Sequence, residues 1–195
     1  MLSSQIKSNE IEFGVCNKNL LEEIISYGMR LGADFVEIFI ENTDNSSVLA
    51  EEDYITSVSP SFGRGAGIRI FKGKRDGFVS TNDLTKHGLM RSVSQAIEML
   101  DITNKKNKEV FNGLNKHKDY SLCKKTWINE VPSIHEISEK LLLSTKSLKK
   151  NNKIIVRKGS YSRNLQEVII ASSDGTYASD IRLHQTVGLN VIASD

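Results

Sequence analysis

Four groups of residues in this chain have types and spacings that bear on chemistry. Gly63, Gly65 and Gly67 alternate in the run Gly-Arg-Gly-Ala-Gly. Glu51, Glu52 and Asp53 are three consecutive acids. His135-Glu136 is the start of a helical zinc motif, and Cys16 and Cys123 are the two thiols. Glycine-rich loops that cradle phosphate read G-x-G-x-x-G and enter a helix N-terminus, where free amides point at the anion. Here the spacing is G-x-G-x-G, and it enters the strand-like run Ile68-Arg69-Ile70. That context argues against a nucleotide and for close approach of another backbone or side chain to the strand. Paired carboxyls can act as general acid and base. Three adjacent acids between two strands fit a solvated loop better. A zinc pair on a helix needs a second imidazole one turn after the first, on the same face. The fourth residue after His135 is Glu139 and the fifth is Lys140, while His87, His117 and His184 are scattered. The cysteines form no C-x-x-C and read as reduced thiols.

The elements that position these residues follow from periodicity. Alternating apolar and polar residues from Ala33 to Asp83 put one set of side chains on each face of a strand. The block reads as an antiparallel meander of four runs. The first is Asp34–Glu41, followed by a turn at Asp44-Asn45. The second is an interrupted strand over Ser46–Asp53 and Tyr54–Ser59, with a bulge or tight turn at its acidic centre. The glycine series leads into the third, Gly73–Gly77 is a hairpin turn, and Gly77–Thr81 returns as the fourth. A helix precedes the meander over Asn19–Leu31, capped by Asn17 or Asn19 and stopped at Gly32. A second helix follows over Leu84–Leu100, with Asn82 or Asp83 as its cap.

Residues 101–131 are polar, rich in Lys and Asn, and aperiodic, so a long surface connection is expected, anchored near Trp127, Ile128 and Val131. Pro132 or Ser133 opens a third helix to about Lys149, and Ser133-x-x-Glu136 fits a capping box. Three strands are expected thereafter: Ile154–Tyr161, Gln166–Ser172 and Leu183–Ala193. Ser173-Asp174-Gly175 is a turn, with Thr176–Ile181 as an extension of the last strand. Residues 1–18 lack periodicity and read as a flexible terminus.

Composition is that of an ordinary globular chain, 38% hydrophobic and 26% charged. No apolar run reaches the roughly 18 residues of a membrane span, and the N-terminus has no apolar signal core. With unpaired cysteines, this sets a cytoplasmic expectation with no membrane partner. Residues 1–60 hold three Lys/Arg against eleven Asp/Glu, and the basic excess lies in Lys105–Lys125 and Lys146–Lys158. Nucleic acid is disfavoured as a partner, because no aromatic residues interleave with these lysines for base stacking.

Three segments in order, GADFVEIFIE, GRGAGIRIFKGKRDGFVSTND and QEVIIASSDGTYASDIRL, resemble the TldD/PmbA family, and its TldD branch most closely. The family was historically called modulators of DNA gyrase and is regarded as zinc metalloproteases. The likeness covers most of residues 19–195 and is weakest over Asn104–Lys125. It implies an α+β fold, an antiparallel or mixed sheet with packing helices, like the N-terminal region of that family. It also implies zinc held downstream by an H-E-x-x-x-H motif with a further cysteine, the glutamate activating water. No residue of this chain matches that set. No catalytic or metal ligand is therefore assigned, no cofactor is expected in this chain, and the metalloprotease domain is expected to lie outside it. By the resemblance, partners are a TldD/PmbA-type subunit in a homo- or heterodimer and extended peptides bound by strand addition. Gly63, Gly65, Gly67, Arg69, Gly77, Asn82, Asp83, Asp174 and Gly175 are the positions expected to act structurally or at an interface.

Overall fold

The computed structural model describes residues 16–101, 110–115, 118–120, 128 and 130–194. The N-terminal residues 1–15, His117, Cys123 and Trp127 lie outside them. Among the described residues the elements are the helices α1 (Lys18–Arg30), α2 (Lys86–Met99) and α3 (Ile134–Leu148) and six strands. These are β1 (Phe35–Glu51), β2 (Tyr54–Lys72), β3 (Arg75–Thr81), β4 (Lys118–Asp119), β5 (Ile154–Ser172) and β6 (Tyr177–Ala193). The hydrogen-bonded order is β3-β2-β1-β5-β6-β4. β2 and β3 are antiparallel, with Arg69 opposite Phe78, whereas the short β4 runs parallel to β6 at Ala178 and Ser179. The fold is α+β, as the alternation and the resemblance imply.

The strands are longer and fewer than the sequence suggests. Asp44-Asn45 makes no turn, and β1 runs straight through it. The reason lies in the side chains: Asp44 accepts from Arg163 at 2.9 Å, and Asn45 is hydrogen-bonded by Asn164. Groups that could have bonded their own backbone and made a turn bind the neighbouring strand instead. The same pairs carry β5 through Ser162–Leu165, so Ile154–Tyr161 and Gln166–Ser172 are one strand. The expected extension of the last strand is present, and β6 is continuous from Tyr177 to Ala193. The turn between β1 and β2 falls at Glu52-Asp53, and β2 continues without interruption through the glycine series. Among the described residues of 101–131, Leu114 is buried and its N–H donates to Glu22 at 2.9 Å. Ile128 and Val131 are half-buried.

Two compact units share the chain. The first comprises Met1–Asn42, Arg64–Ser121 and Glu167–Asp180; the second comprises Thr43–Gly63, Leu122–Gln166 and Ile181–Asp195. In the first unit α1 buries Leu21, Ile24, Ile25 and Met29, and α2 buries Leu89, Val93, Ala96 and Ile97. They lie with Val36, Ile38 and Ile40 of β1 and Ile68 and Ile70 of β2, all fully buried. Each of these Val, Leu, Ile and Met side chains contributes about 1.5–3 kcal/mol of burial. Tyr27 Oη and Ser94 Oγ, 3.0 Å apart, tie the two helices. Asn17 caps α1, and Gly32, at φ 101°, ends it as its spacing predicts. In the second unit α3 lays Ile137 and Leu141 on Val48, Ala50 and Tyr161. The Ser133–Glu136 capping box is formed in full.

The cap of α2 is Thr85, not Asn82 or Asp83. Thr85 Oγ1 accepts from Gly88 N at 3.1 Å. Asp83 serves one step back: its carboxylate accepts from Thr85 N and Thr85 Oγ1 at 3.1 and 2.6 Å, orienting the capping hydroxyl. Thr85→Ala is therefore expected to lower stability by about 1 kcal/mol. Urea unfolding reads it, and Thr85→Ser should recover most of the loss; an unchanged midpoint for Thr85→Ala would refute the assigned cap.

Candidate functional site

The positions singled out from sequence do not converge on one centre. They divide among three local arrangements. The first is the outward face of β1, β2 and β3 in the first unit. Arg69 donates to Asp76 through Nη2 and Nε, at 2.9 and 3.2 Å, and its guanidinium lies 4.9 Å above the Phe71 ring. Phe35 packs at a tilt on Phe71, with centroids 5.8 Å apart. The glycines are places where a side chain has no room. A Cβ at Gly67 would lie 2.9 Å from the Phe78 ring, and one at Gly65 would lie 3.0 Å from Asn82 Oδ1. In the second unit, a Cβ at Gly63 would lie 2.7 Å from Thr43 Oγ1. Gly77, behind the first unit's face, admits α2: a Cβ there would sit 2.8 Å from the Ala96 carbonyl oxygen.

The second arrangement is the turn after β5. Gly175, at φ 93°, closes the turn by donating to Ser172 O at 3.0 Å and accepts from Asn115 N at 2.8 Å. Asp174 accepts from Ser172 Oγ at 2.6 Å and from Thr176 N at 2.9 Å. These two hydrogen bonds hold its carboxyl below the ordinary carboxylate range. The turn is the one the sequence predicts.

The third arrangement was not legible in the sequence. Arg157, on β5 in the second unit, is 5% exposed. Its Nε donates to Glu52 Oε2 at 2.8 Å, and Nη2 also donates to that carboxylate. Nη1 reaches Asp53 Oδ1 at 3.4 Å and the Thr145 carbonyl of α3 at 3.3 Å. Lys149 donates to Asp53 at 3.1 Å, and Lys158 pairs with Glu51 at 3.1 Å. All three acids of the 51–53 run keep the partly exposed turn that the sequence leads one to expect, and each is also paired with a cation, with the buried Arg157 guanidinium beneath Glu52 and Asp53. Hydrogen bonds from Arg157 and from Lys149 lower the Glu52 and Asp53 pKa values. Both stay ionised at neutral pH, which leaves neither as a general acid. Glu52 adopts φ 54°, a conformation costing a non-glycine residue roughly 1–2 kcal/mol. Its bonds to the Arg157 guanidinium and backbone N–H offset that strain.

No cluster of three or more His, Cys, Asp or Glu side chains is placed to share a metal ion among the described residues. The nearest approach in sequence, His135-Glu136, does not fit zinc. His135 Nε2 lies 3.5 Å from Glu139 on an exposed helix face, while Glu136 accepts from Ser133 N and Oγ in the capping box. Cys16 is buried with its thiol donating to the Leu84 carbonyl at 3.3 Å. Burial pushes its pKa up, against a smaller opposing effect from Arg64.

Six carboxyls, those of Asp34, Glu52, Asp53, Asp83, Glu136 and Asp174, have lowered folded-state pKa values, chiefly through hydrogen bonds. A depressed folded pKa contributes stability above the unfolded value, near 3.8 for Asp and 4.5 for Glu, and loses it as pH falls through the folded value. The thermal midpoint should therefore be level between about pH 5 and pH 8 and fall steeply below about pH 4. A flat midpoint down to about pH 3 would contradict these bonds.

Two family models match the chain in order. Residues 36–100 match the PmbA/TldA metallopeptidase domain 1, and residues 128–195 match the PmbA/TldA metallopeptidase central domain. No curated protein sequence matches it. Among solved structures, TldE from Thermococcus kodakarensis superposes with a TM-score of 0.72 at 20% identity, over 90% of this chain and 40% of that one. A protein from Bacteroides thetaiotaomicron described as a modulator of DNA gyrase gives 0.71 at 17% identity, over 91% and 41%. A Thermotoga maritima protein described in the same way gives 0.69 at 14%, over 91% and 40%. The chain thus spans about two fifths of the length of each of these. The two domain matches, consecutive and covering about two thirds of the residues, establish that the chain belongs to the PmbA/TldD metallopeptidase family.

Proposed function

We propose that this chain is the N-terminal, non-catalytic portion of a TldD-like metallopeptidase, whose family function is proteolysis of unfolded polypeptides in the cytoplasm. One observation carries the reading. Residues 36–100 and 128–195 match domain 1 and the central domain of the family, and the neighbours of the same fold extend well beyond the part that superposes. The sequence holds no H-E-x-x-x-H. In this reading the zinc of the full-length enzyme is bound by residues downstream, and the arrangements at Arg69, Asp174 and Arg157 hold the scaffold. Zinc titration of the folded chain tests the assignment. Only weak, non-stoichiometric binding is expected; one tight equivalent would overturn it.

A second reading is an interaction module that pairs with a TldD/PmbA-type subunit or takes up extended peptides. It is supported by β6, where Val187, Leu189, Val191 and Ile192 are between 46% and 69% exposed near the end of the chain. An exposed apolar strand is a template for adding another. Light scattering after size exclusion, with the chain alone and mixed with a full-length family member, separates the readings. A mass increase on mixing supports the module; unchanged masses remove it.

A further inference from the structure

In the first unit, six residues on the outward face of β1–β3 line a recess of about 430 Å3: Glu37, Phe39, Gly67, Arg69, Asp76 and Phe78. Gly67 forms the floor, because a side chain there would collide with the Phe78 ring. The ring of Phe78 is 57% exposed, so it forms a wall of the recess and not part of the core. Arg69 is hydrogen-bonded to Asp76 and stacked over Phe71. Glu37 is different. It is half-buried, and no cation or hydrogen-bond donor among the described residues engages its carboxylate. The lining therefore carries two carboxylates and one guanidinium, an excess of one negative charge beside two aromatic rings.

This combination selects its ligand by charge. Aromatic faces attract cations through the ring quadrupole, and an unpaired carboxylate adds Coulombic attraction. An anion meets net repulsion. A neutral apolar group would desolvate Glu37 without giving it a partner, which is unfavourable. We propose that this recess receives the cationic side chain of a lysine or arginine from an extended polypeptide. The proposal depends on the functional reading above only in taking a polypeptide as the source of the cation. It assigns a role to the glycine at position 67 and to Glu37, neither of which the scaffold function requires.

The test is an amide NMR titration of the whole chain with blocked Ala-Ala-Lys-Ala-Ala, with its acetyl-lysine counterpart, and with blocked lysine amide. Binding is read on this chain alone, so the result is independent of zinc, of turnover and of pairing. The lysine peptide should shift the Gly67 and Phe78 amides saturably. Acetylation, which removes the charge and keeps the length, should weaken binding about tenfold. Glu37→Gln and Phe78→Leu should each weaken it about threefold, the second keeping an apolar wall without the ring face. Glu37→Lys should abolish lysine-peptide binding while leaving the rest of the spectrum folded. Equal binding of the acetylated peptide, saturable shifts that map elsewhere, no saturable shift, or indifference to Glu37→Gln would each overturn the proposal. Blocked lysine amide binding as tightly as the pentapeptide would overturn its polypeptide part.

Discussion

Arg157→Ala is expected to lower stability by about 2–4 kcal/mol. The side chain is buried, so truncation removes packing as well as charge. It also leaves the Thr145 carbonyl without that donor, and the Glu52 carboxylate keeps only the backbone N–H of residue 157. Glu52 would then hold φ 54° with less to offset the strain. Arg157→Lys should recover less than half of the loss, because an ammonium cannot reproduce the fork that spans Glu52, Asp53 and Thr145. Urea unfolding of the three proteins measures this. A loss under about 0.5 kcal/mol for Arg157→Ala would mean that the clasp under the β1–β2 turn contributes nothing.

The second large effect is at Gly77. Its Cβ, if present, would meet the backbone oxygen of Ala96 at 2.8 Å and Leu100 Cγ at 3.3 Å. The leucine can rotate, but a carbonyl inside α2 cannot move without shifting the helix. Gly77→Ala should therefore lower stability by about 1–3 kcal/mol, and Gly77→Val by more. Gly67→Ala is the informative contrast. Its collision is with the exposed Phe78 ring, which can swing aside, so the change should stay under about 1 kcal/mol. Equal losses at the two positions would show that the identity of the colliding group does not decide the outcome.

These two residues also mark how far the sequence could be read. Helix positions followed from apolar spacing, because a stripe such as Leu21, Ile24 and Ile25 matches the period of a helix and breaks that of a strand. The hairpin at Gly73 and the turn at Asp174-Gly175 followed from local chemistry that acts within a few residues. Errors arose where a residue with turn character has a distant partner. Asp44 and Asn45 look like a turn until Arg163 and Asn164 are placed beside them, and nothing in the local pattern indicates that pairing. The cap of α2 lies two or three residues beyond the expected Asn82 or Asp83 because all three residues are competent caps and the backbone geometry selects Thr85.

The sites show the same limit more sharply. Glu51-Glu52-Asp53 was visible as three acids, but the buried Arg157 that holds two of them is more than a hundred residues away. The two-residue β4 has no periodicity to detect. The recess depends on where the Phe78 ring lies over Gly67, a side-chain fact that no spacing encodes. Membership of the family, by contrast, was carried by sequence alone, through three ordered segments, and the two domain matches bear it out.

In the proposed function this chain is the non-catalytic portion of a zinc peptidase. The most direct test of that role is turnover of an unfolded, fluorescently quenched casein by the purified chain, with and without added zinc, beside a full-length family member. The account predicts a rate indistinguishable from buffer in both conditions while the full-length protein cleaves. Zinc-dependent cleavage by this chain, abolished by a chelator and restored by zinc, would contradict it.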